Sequence, residues 1–282
     1  MREHLTGDDL YAYFLTLRVI DDRAYLVAED DNDCVILDKA IDPSSCLSIP
    51  GYGKESVNRA MQIALDQGLH DRILAVLDRD WVGYGIEPHP SSSVLYTERH
   101  DLDAELLLLE GLTERVAAPY CNRSHFISER LVDGQTPLEW VIRACSPLGV
   151  LRRMSVLNGL SLRLRQFPLH EYVSVPSGPD LHRLCDVAIR RSPDASVGLS
   201  SLEDALRREL ESVDEPAEYC AGHDLAAALS LLVDRHWQGS AGRGQIERTL
   251  RAVSDRGLLE RTSILDAIRV WEASRGVRVL VA

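Results

Sequence analysis

The sequence predicts an α/β fold, a mostly parallel sheet flanked by helices, followed by a mainly α-helical extension. Three observations carry that expectation. Short apolar runs that stop abruptly on charge alternate with stretches of helical periodicity up to about residue 116. Acidic residues gather where those runs end and where the next helix begins. Beyond residue 118 the periodicity becomes almost wholly helical. The expected division is an α/β domain over 1–118 and a mainly helical region over 119–282, with no long low-complexity linker and no internal repeat.

Taken in order, Thr6 followed by Asp9 has the form of a helix start, and "DDLYAYFLTLRVI" continues it at helical spacing. "RAYLVA" (23–28) is short, apolar and bounded by charge, the pattern of a buried parallel strand. A short helix is expected over 33–41 and a second strand over 46–50. "GYGKES" turns into a helix over 57–69, with Gly51 and Gly53 freeing the backbone. "RILAVL" (72–77) is a third strand and "SSVLYT" (92–97) a fourth. A helix is expected over 100–116. Strand and helix in alternation imply a parallel sheet covered on both faces, whose ligands lie beyond the carboxyl ends of the strands. The terminal "SRGVRVLVA" reads either as a late strand or as a dimer contact.

Composition narrows the class. The chain has 282 residues, and its 45 % hydrophobic and 27 % charged contents are ordinary for a soluble globular protein; its formal charge of −13 is more informative once divided. Residues 1–120 hold 23 acids against 10 Lys and Arg, whereas residues 121–282 hold 21 of each, so the excess falls in the first part. An acidic surface repels phosphate backbones and excludes a simple nucleic-acid coat protein. No apolar run is long enough to span a membrane, and the first residues lack the pattern of a signal peptide. Six cysteines without CxxC spacing read as reduced thiols of a cytoplasmic protein.

The acids pose the functional question. "LVAEDDND" brings Glu29 and Asp33 to a strand end and the first turn after it. "VLDRD" places Asp78 and Asp80 at the next such end, and "ERHDLD" adds Asp101 and Asp103. Carboxylates gathered this way raise one another's pKa unless a cation sits among them, and Mg²⁺ or Mn²⁺ is the natural cation for such oxygens. Acids also favour helix N-termini for dipole reasons alone, which explains any one of them better than the set. A receiver domain of two-component signalling is a rival, because "YLVAEDD" has the look of its first strand and acidic pair. That reading needs a lysine late in the domain, and the two lysines of this chain are Lys39 and Lys54. A P-loop reading of "GYGKES" fails because Ser48 stands where the first glycine belongs.

These stretches together resemble the Toprim fold, and more specifically the DUF4435 group of OLD-like Toprim proteins. "LVAEDDND" resembles the V-E-G-x-x-D strand end, with Asp30 in place of the usual glycine. "PGYGKESVNRAM" resembles G-G-K-x-x-V, "AVLDRDW" resembles D-x-D-F/W, and "TERHDLDAELL" resembles T-D-x-H-D-I-E-x-x-L, with Asp103 where Glu is usual. "PLGVLRRMSVLNGLSLRL" and "CAGHDLAAALSLL" resemble later helical segments, so the likeness runs from about residue 23 to 232.

The resemblance implies a Mg²⁺- or Mn²⁺-dependent nuclease acting on a phosphodiester of DNA or RNA, tRNA among the candidates. It further implies a toxic effector of anti-phage defence, controlled by an ABC- or AAA-type ATPase partner. Carried over by residue, Glu29, Lys54 and Asp78 are catalytic. Glu29, Asp33, Asp78, Asp80 and Asp103 are metal ligands. His223 and Asp224 in "GHD" are either catalytic or a helix start with its neighbouring histidine. The competing function is a catalytically inactive Toprim adaptor that acts by docking.

Overall fold

A computed structural model describes residues 6–281. In chain order its strands and helices are α1 (Gly7–Ile20), β1 (Ala24–Ala28), α2 (Asp31–Leu37), β2 (Cys46–Pro50), α3 (Lys54–Asp66), β3 (Ile73–Leu77), β4 (Val94–Tyr96) and α4 (Leu102–Leu107). There follow α5 (Leu112–Ala117), α6 (Arg123–Ser128), α7 (Pro137–Asn158), β5 (Val173–Ser174), β6 (Gly178–Pro179), α8 (Leu181–Arg191) and α9 (Leu199–Glu211). The last are α10 (Gly222–Arg235), α11 (Arg243–Val253), α12 (Arg256–Leu259) and α13 (Ser263–Arg275). The α/β class with a helical remainder is as the sequence predicts.

The chain divides into two compact units. One comprises the residues up to Leu102 together with those from Arg251 on; the other is Asp103–Leu250. The sequence analysis placed a single cut after residue 118, and long-range packing of the C-terminal residues is what differs. Counted over the observed units, the first holds 23 acids against 15 Lys and Arg (−8) and the second 21 against 16 (−5). Residues 1–102 alone hold 19 acids against 9 Lys and Arg, so the last segment, with 6 arginines against 4 acids, offsets only a small part of their acidity.

In the first unit the strands run parallel in the order β2-β1-β3-β4. β1 and β3 are buried along their whole length, which is why "AYLVA" and "ILAVL" are continuous apolar runs rather than alternating ones. One face packs Tyr25, Val27, Ile73 and Ala75 against Leu10 and Phe14 of α1 and Val57, Ala60 and Met61 of α3. Thr6 and Asp9 close the expected capping box on α1: the Asp9 N–H donates to Thr6 Oγ1 at 3.3 Å and the Thr6 N–H to Asp9 Oδ2 at 2.9 Å. After β1 the chain turns to one side of the sheet to form β2, and β3 then joins on the other. The strand order therefore reverses between β1 and β3, where a ligand crevice is expected at the carboxyl ends.

The C-terminal segment completes this unit. Lys39 Nζ donates to the carbonyls of Arg251 and Ser254, satisfying the chain end of α11. Trp271 Nε1 donates to the buried Ser93 Oγ at 3.0 Å beside β4. An antiparallel bridge joins Ile41 to Leu280, with the Asp42 N–H donating to the Val279 carbonyl at 2.8 Å. "SRGVRVLVA" thus pairs with its own chain, nearer the late-strand reading than the dimer one.

The second unit is built around α7, whose Trp140, Ala144, Leu148 and Leu151 are fully buried. Its Arg152 pairs with the buried Asp224 of α10 through both guanidinium NH groups, one to Oδ1 at 3.1 Å. Asp224 is accordingly held by a bidentate partner in the interior, and the half-buried His223 lies 3.4 Å from it. The helix expected over 100–116 is two helices, α4 and α5, with Gly111 in a left-handed conformation ahead of the second. All six cysteines are free and five are buried. Burial pushes the thiols of Cys34, Cys46 and Cys185 up to about 12, which removes their reactivity. No helix among the described residues is long and apolar enough to cross a membrane.

Candidate functional site

Glu29 is the first residue beyond β1 and Asp78 the first beyond β3, two adjacent parallel strands whose ends are in register at Ala28 and Val76. Both carboxylates therefore stand at the crevice where the strand order reverses. The turn after β2 is drawn to the same place. The Gly51 N–H donates to the Ala28 carbonyl at 2.8 Å and the Gly53 N–H to the Glu29 carbonyl at 3.0 Å. A side chain at Gly51 would put its Cβ 2.0 Å from Val57 Cγ2, and Gly53 has φ +111, so two glycines are needed for the loop to lie this close. α3 begins immediately afterwards with Lys54.

From there Lys54 Nζ reaches across to the second strand end. It donates to the Asp78 carbonyl at 2.5 Å and to Asp80 Oδ2 at 2.6 Å. Asp80 is held with φ +46, a left-handed conformation that costs a non-glycine residue energy. Its N–H donates to the His100 carbonyl at 2.8 Å. The turn is braced further by Thr97 Oγ1, which accepts from the Arg79 N–H at 3.0 Å. Strain at this point orients one carboxylate toward the lysine.

The electrostatics are those of crowded acids. One oxygen of Glu29, Oε2, is buried without a hydrogen-bond partner. Burial raises the Glu29 carboxyl above its ordinary range, Asp80 adds to this, Lys54 opposes it and Asp30 raises it again. Asp78 is raised further, first by burial and then by Asp101, Asp33, Glu29 and Asp80 in turn. Its Oδ1 accepts from the Leu102 N–H at 3.2 Å. Six carboxylates, Glu29, Asp30, Asp33, Asp78, Asp80 and Asp101, thus act on one another at the end of β1 and β3, with Lys54 among them.

The five expected ligands fare differently. Glu29, Asp78, Asp80 and Asp33 share this region, and Asp33 also accepts from the Asp30 N–H at 3.2 Å. Asp103 opens the second unit, in the first turn of α4. Asp101, within the first unit, is the acid of that doublet that acts on Asp78. His100 was not singled out from the sequence: its Nδ1 lies 3.2 Å from Asp101 Oδ2 and 3.8 Å from Asp80 Oδ1, and Trp81 packs edge-on against its ring at 4.9 Å. The signal was present in "ERHDLD", where the histidine precedes the acids. Asp30, the departure from the resemblance, is the N-cap of α2 with an extended φ of −142°. Its Oδ1 accepts from the N–H groups of Asn32 and Asp33 at 2.6 and 3.1 Å, so the position does not require glycine.

Whether these residues suit a divalent cation is a question of donor type and of convergence. The donors are hard oxygens, one is buried and unpartnered, and their mutual repulsion is what a cation relieves. Among the described residues, however, no three acidic, histidine or cysteine side chains converge into a group that could hold a metal as they stand. Lys54 takes Asp80 instead, so a cation there would have to compete with Lys54 for it. Compared with known proteins, the sequence matches no family model and no curated protein.

Proposed function

We propose that this protein is a Mg²⁺- or Mn²⁺-dependent nuclease of Toprim type that hydrolyses a phosphodiester in DNA or RNA. The observation that supports this reading most is the meeting of Glu29 and Asp78 at the ends of adjacent parallel strands, with a buried Glu29 oxygen left unpartnered and Asp78 repelled by four other acids. Such an arrangement costs stability unless a cation joins it. Glu29, Asp78 and Asp80 would hold the ion, with Asp33 or Asp101 orienting them; Asp103 is a ligand on the strength of the resemblance alone. When bound, the ion supplies Lewis-acid stabilisation of the phosphoryl oxygens and lowers the pKa of a water. Glu29, with its carboxyl already raised, accepts the proton of the attacking water. Lys54, once off Asp80, donates to the non-bridging oxygen on which charge develops. The resemblance extends the proposal to a toxic effector of anti-phage defence, kept silent by an ABC- or AAA-type ATPase.

A docking adaptor is the second reading, and the Lys54–Asp80 pair favours it, because a lysine already compensates part of the acidic charge. Thermal melts of the purified protein with and without millimolar Mg²⁺ or Mn²⁺, wild type beside Asp78→Ala, separate the two. For the nuclease, an ion at a hundredfold excess over its Kd stabilises by about 2.7 kcal/mol, several degrees in Tm, and the variant loses the shift. Cleavage of DNA or tRNA then follows the same pattern, and Glu29→Ala abolishes toxicity in cells with the fold intact. An ion response absent from the wild type, together with undiminished toxicity of Glu29→Ala, would leave the adaptor.

A further inference from the structure

Between α1 and β2 lies a groove of about 470 Å³, within the size range of small-ligand sites. Tyr13, Leu47, Pro50 and Tyr52 give it apolar and aromatic surface, and Ser48, Asp9 and Asp31 supply its polar groups. Tyr13 is 47 % exposed. Tyr52 sits between the two glycines that hydrogen-bond to the last residue of β1 and to Glu29, and it has φ +59. These hydrogen bonds hold the Tyr52 backbone beside Ala28 and Glu29, in a left-handed conformation. Tyr52 also borders a second, open groove of about 530 Å³ in which Lys54 and Arg59 stand beside Asp8 and Glu55, so this residue separates an aromatic groove from one of mixed charge that carries Lys54.

We propose that the Tyr13–Tyr52 groove is a nucleobase subsite, taking the base next to the scissile phosphate of a single-stranded nucleic acid. The inference rests on the nuclease reading for its substrate class. Carboxylates at the groove edge repel phosphate, so the part of a nucleotide that enters is its uncharged end, and the phosphate stays on the Lys54 side. Tyrosine rings stack on any base, because every base has a π-face. Carboxylates such as Asp9 and Asp31 accept from the exocyclic amino groups of adenine and cytosine, whereas thymine and uracil present their one N–H donor between two carbonyl oxygens that a carboxylate repels. The groove thus favours amino-bearing bases.

Fluorescence anisotropy of labelled five-nucleotide dA, dC and dT oligomers, in EDTA and with the full chain, tests this without any turnover. The dA and dC oligomers should bind several-fold more tightly than dT. Tyr13→Ala should weaken binding by about tenfold, as loss of one stacking ring predicts, and Tyr13→Phe should restore it. Equal binding of all three oligomers, or binding by Tyr13→Ala at the wild-type level, would overturn the subsite. Its failure is distinguishable from that of the nuclease reading, since metal-dependent stabilisation and cleavage in a protein whose binding ignores Tyr13 would sink the groove alone. Tyrosine-dependent binding without any metal response would keep the subsite and sink the nuclease.

Discussion

Asp78 concentrates the residue-scale argument, because its carboxyl is raised by burial and then by Asp101, Asp33, Glu29 and Asp80. An acid whose folded pKa exceeds its unfolded one binds more protons in the native state, so native stability falls as pH climbs from the ordinary carboxylate range through the raised value. Each unit of such a rise corresponds to about 1.4 kcal/mol lost at neutral pH. Asp78→Asn keeps the acceptor for the Leu102 N–H and removes the charge. The metal-free variant should melt above wild type at pH 7.5 and converge with it near pH 4, in melts run across that range in EDTA. Acids lowered by partners, such as Asp21 beside Arg23 and Glu260 beside Arg269, lose their contribution only as pH falls below that range. His182, raised by Glu203, also loses stability as pH rises, and the difference between variant and wild type cancels it. A variant that melts at or below wild type at pH 7.5 would mean the crowding carries no cost. Glu29, Asp78 and Asp80 were legible in the sequence because strand-end acids stand out against apolar runs. His100 precedes the acids of "ERHDLD" and was passed over, because its meeting with Asp80 depends on how the chain returns after β4.

At the scale of elements, local signals sufficed where one cap or one turn decides the outcome. Thr6 and Asp9 start α1 as read, and "CLSIP" is β2 to the residue. The start of α3 was read three residues late, since Lys54, Glu55 and Ser56 form its first turn although none faces the core fully. α2 carries a sharper lesson. Asp30 stands where the resemblance has glycine, yet it caps α2 by accepting from two N–H groups while its own N–H donates to Asp33. A cap residue replaced by glycine costs a few tenths of a kcal/mol, and by alanine about 1 kcal/mol. Asp30→Gly should therefore fold, melt within about a degree or two of wild type, and keep the same midpoint shift with Mg²⁺. Asp30→Ala should melt lower with the shift retained. If Asp30→Gly instead abolished the shift, Asp30 would be a ligand rather than a cap, and the acidic site would have to be redrawn around it.

For the whole molecule, the decisive departure from the sequence is that residues from Arg251 on belong with the sheet. Nothing in "SILDAIRVWEASRG" distinguishes a helix that packs beside β4 from one that joins the other helices, because its periodicity gives a buried face but not what that face meets. Only the structure pairs Trp271 with Ser93, Arg275 with Asp71 at 3.1 Å, and Ile41 with Leu280. The acidic site therefore depends on a segment some two hundred residues from Glu29 in sequence. Removing a buried Trp side chain costs about 3–5 kcal/mol, and Trp271 is 3 % exposed. If α13 is part of the unit that carries the site, Trp271→Ala should lower the protection of the β1 and β3 amides, such as Val27 and Val76, against hydrogen exchange. A loss of 3 kcal/mol accelerates exchange through global opening by about 150-fold. Amides of α7, in the other unit, serve as the internal reference and should change far less. A domain ending at residue 118 predicts the reverse, with β1 and β3 protected as in wild type and the loss confined to the helical region. That outcome would also detach the C-terminal segment from the site and return its arginines to the second half of the charge balance.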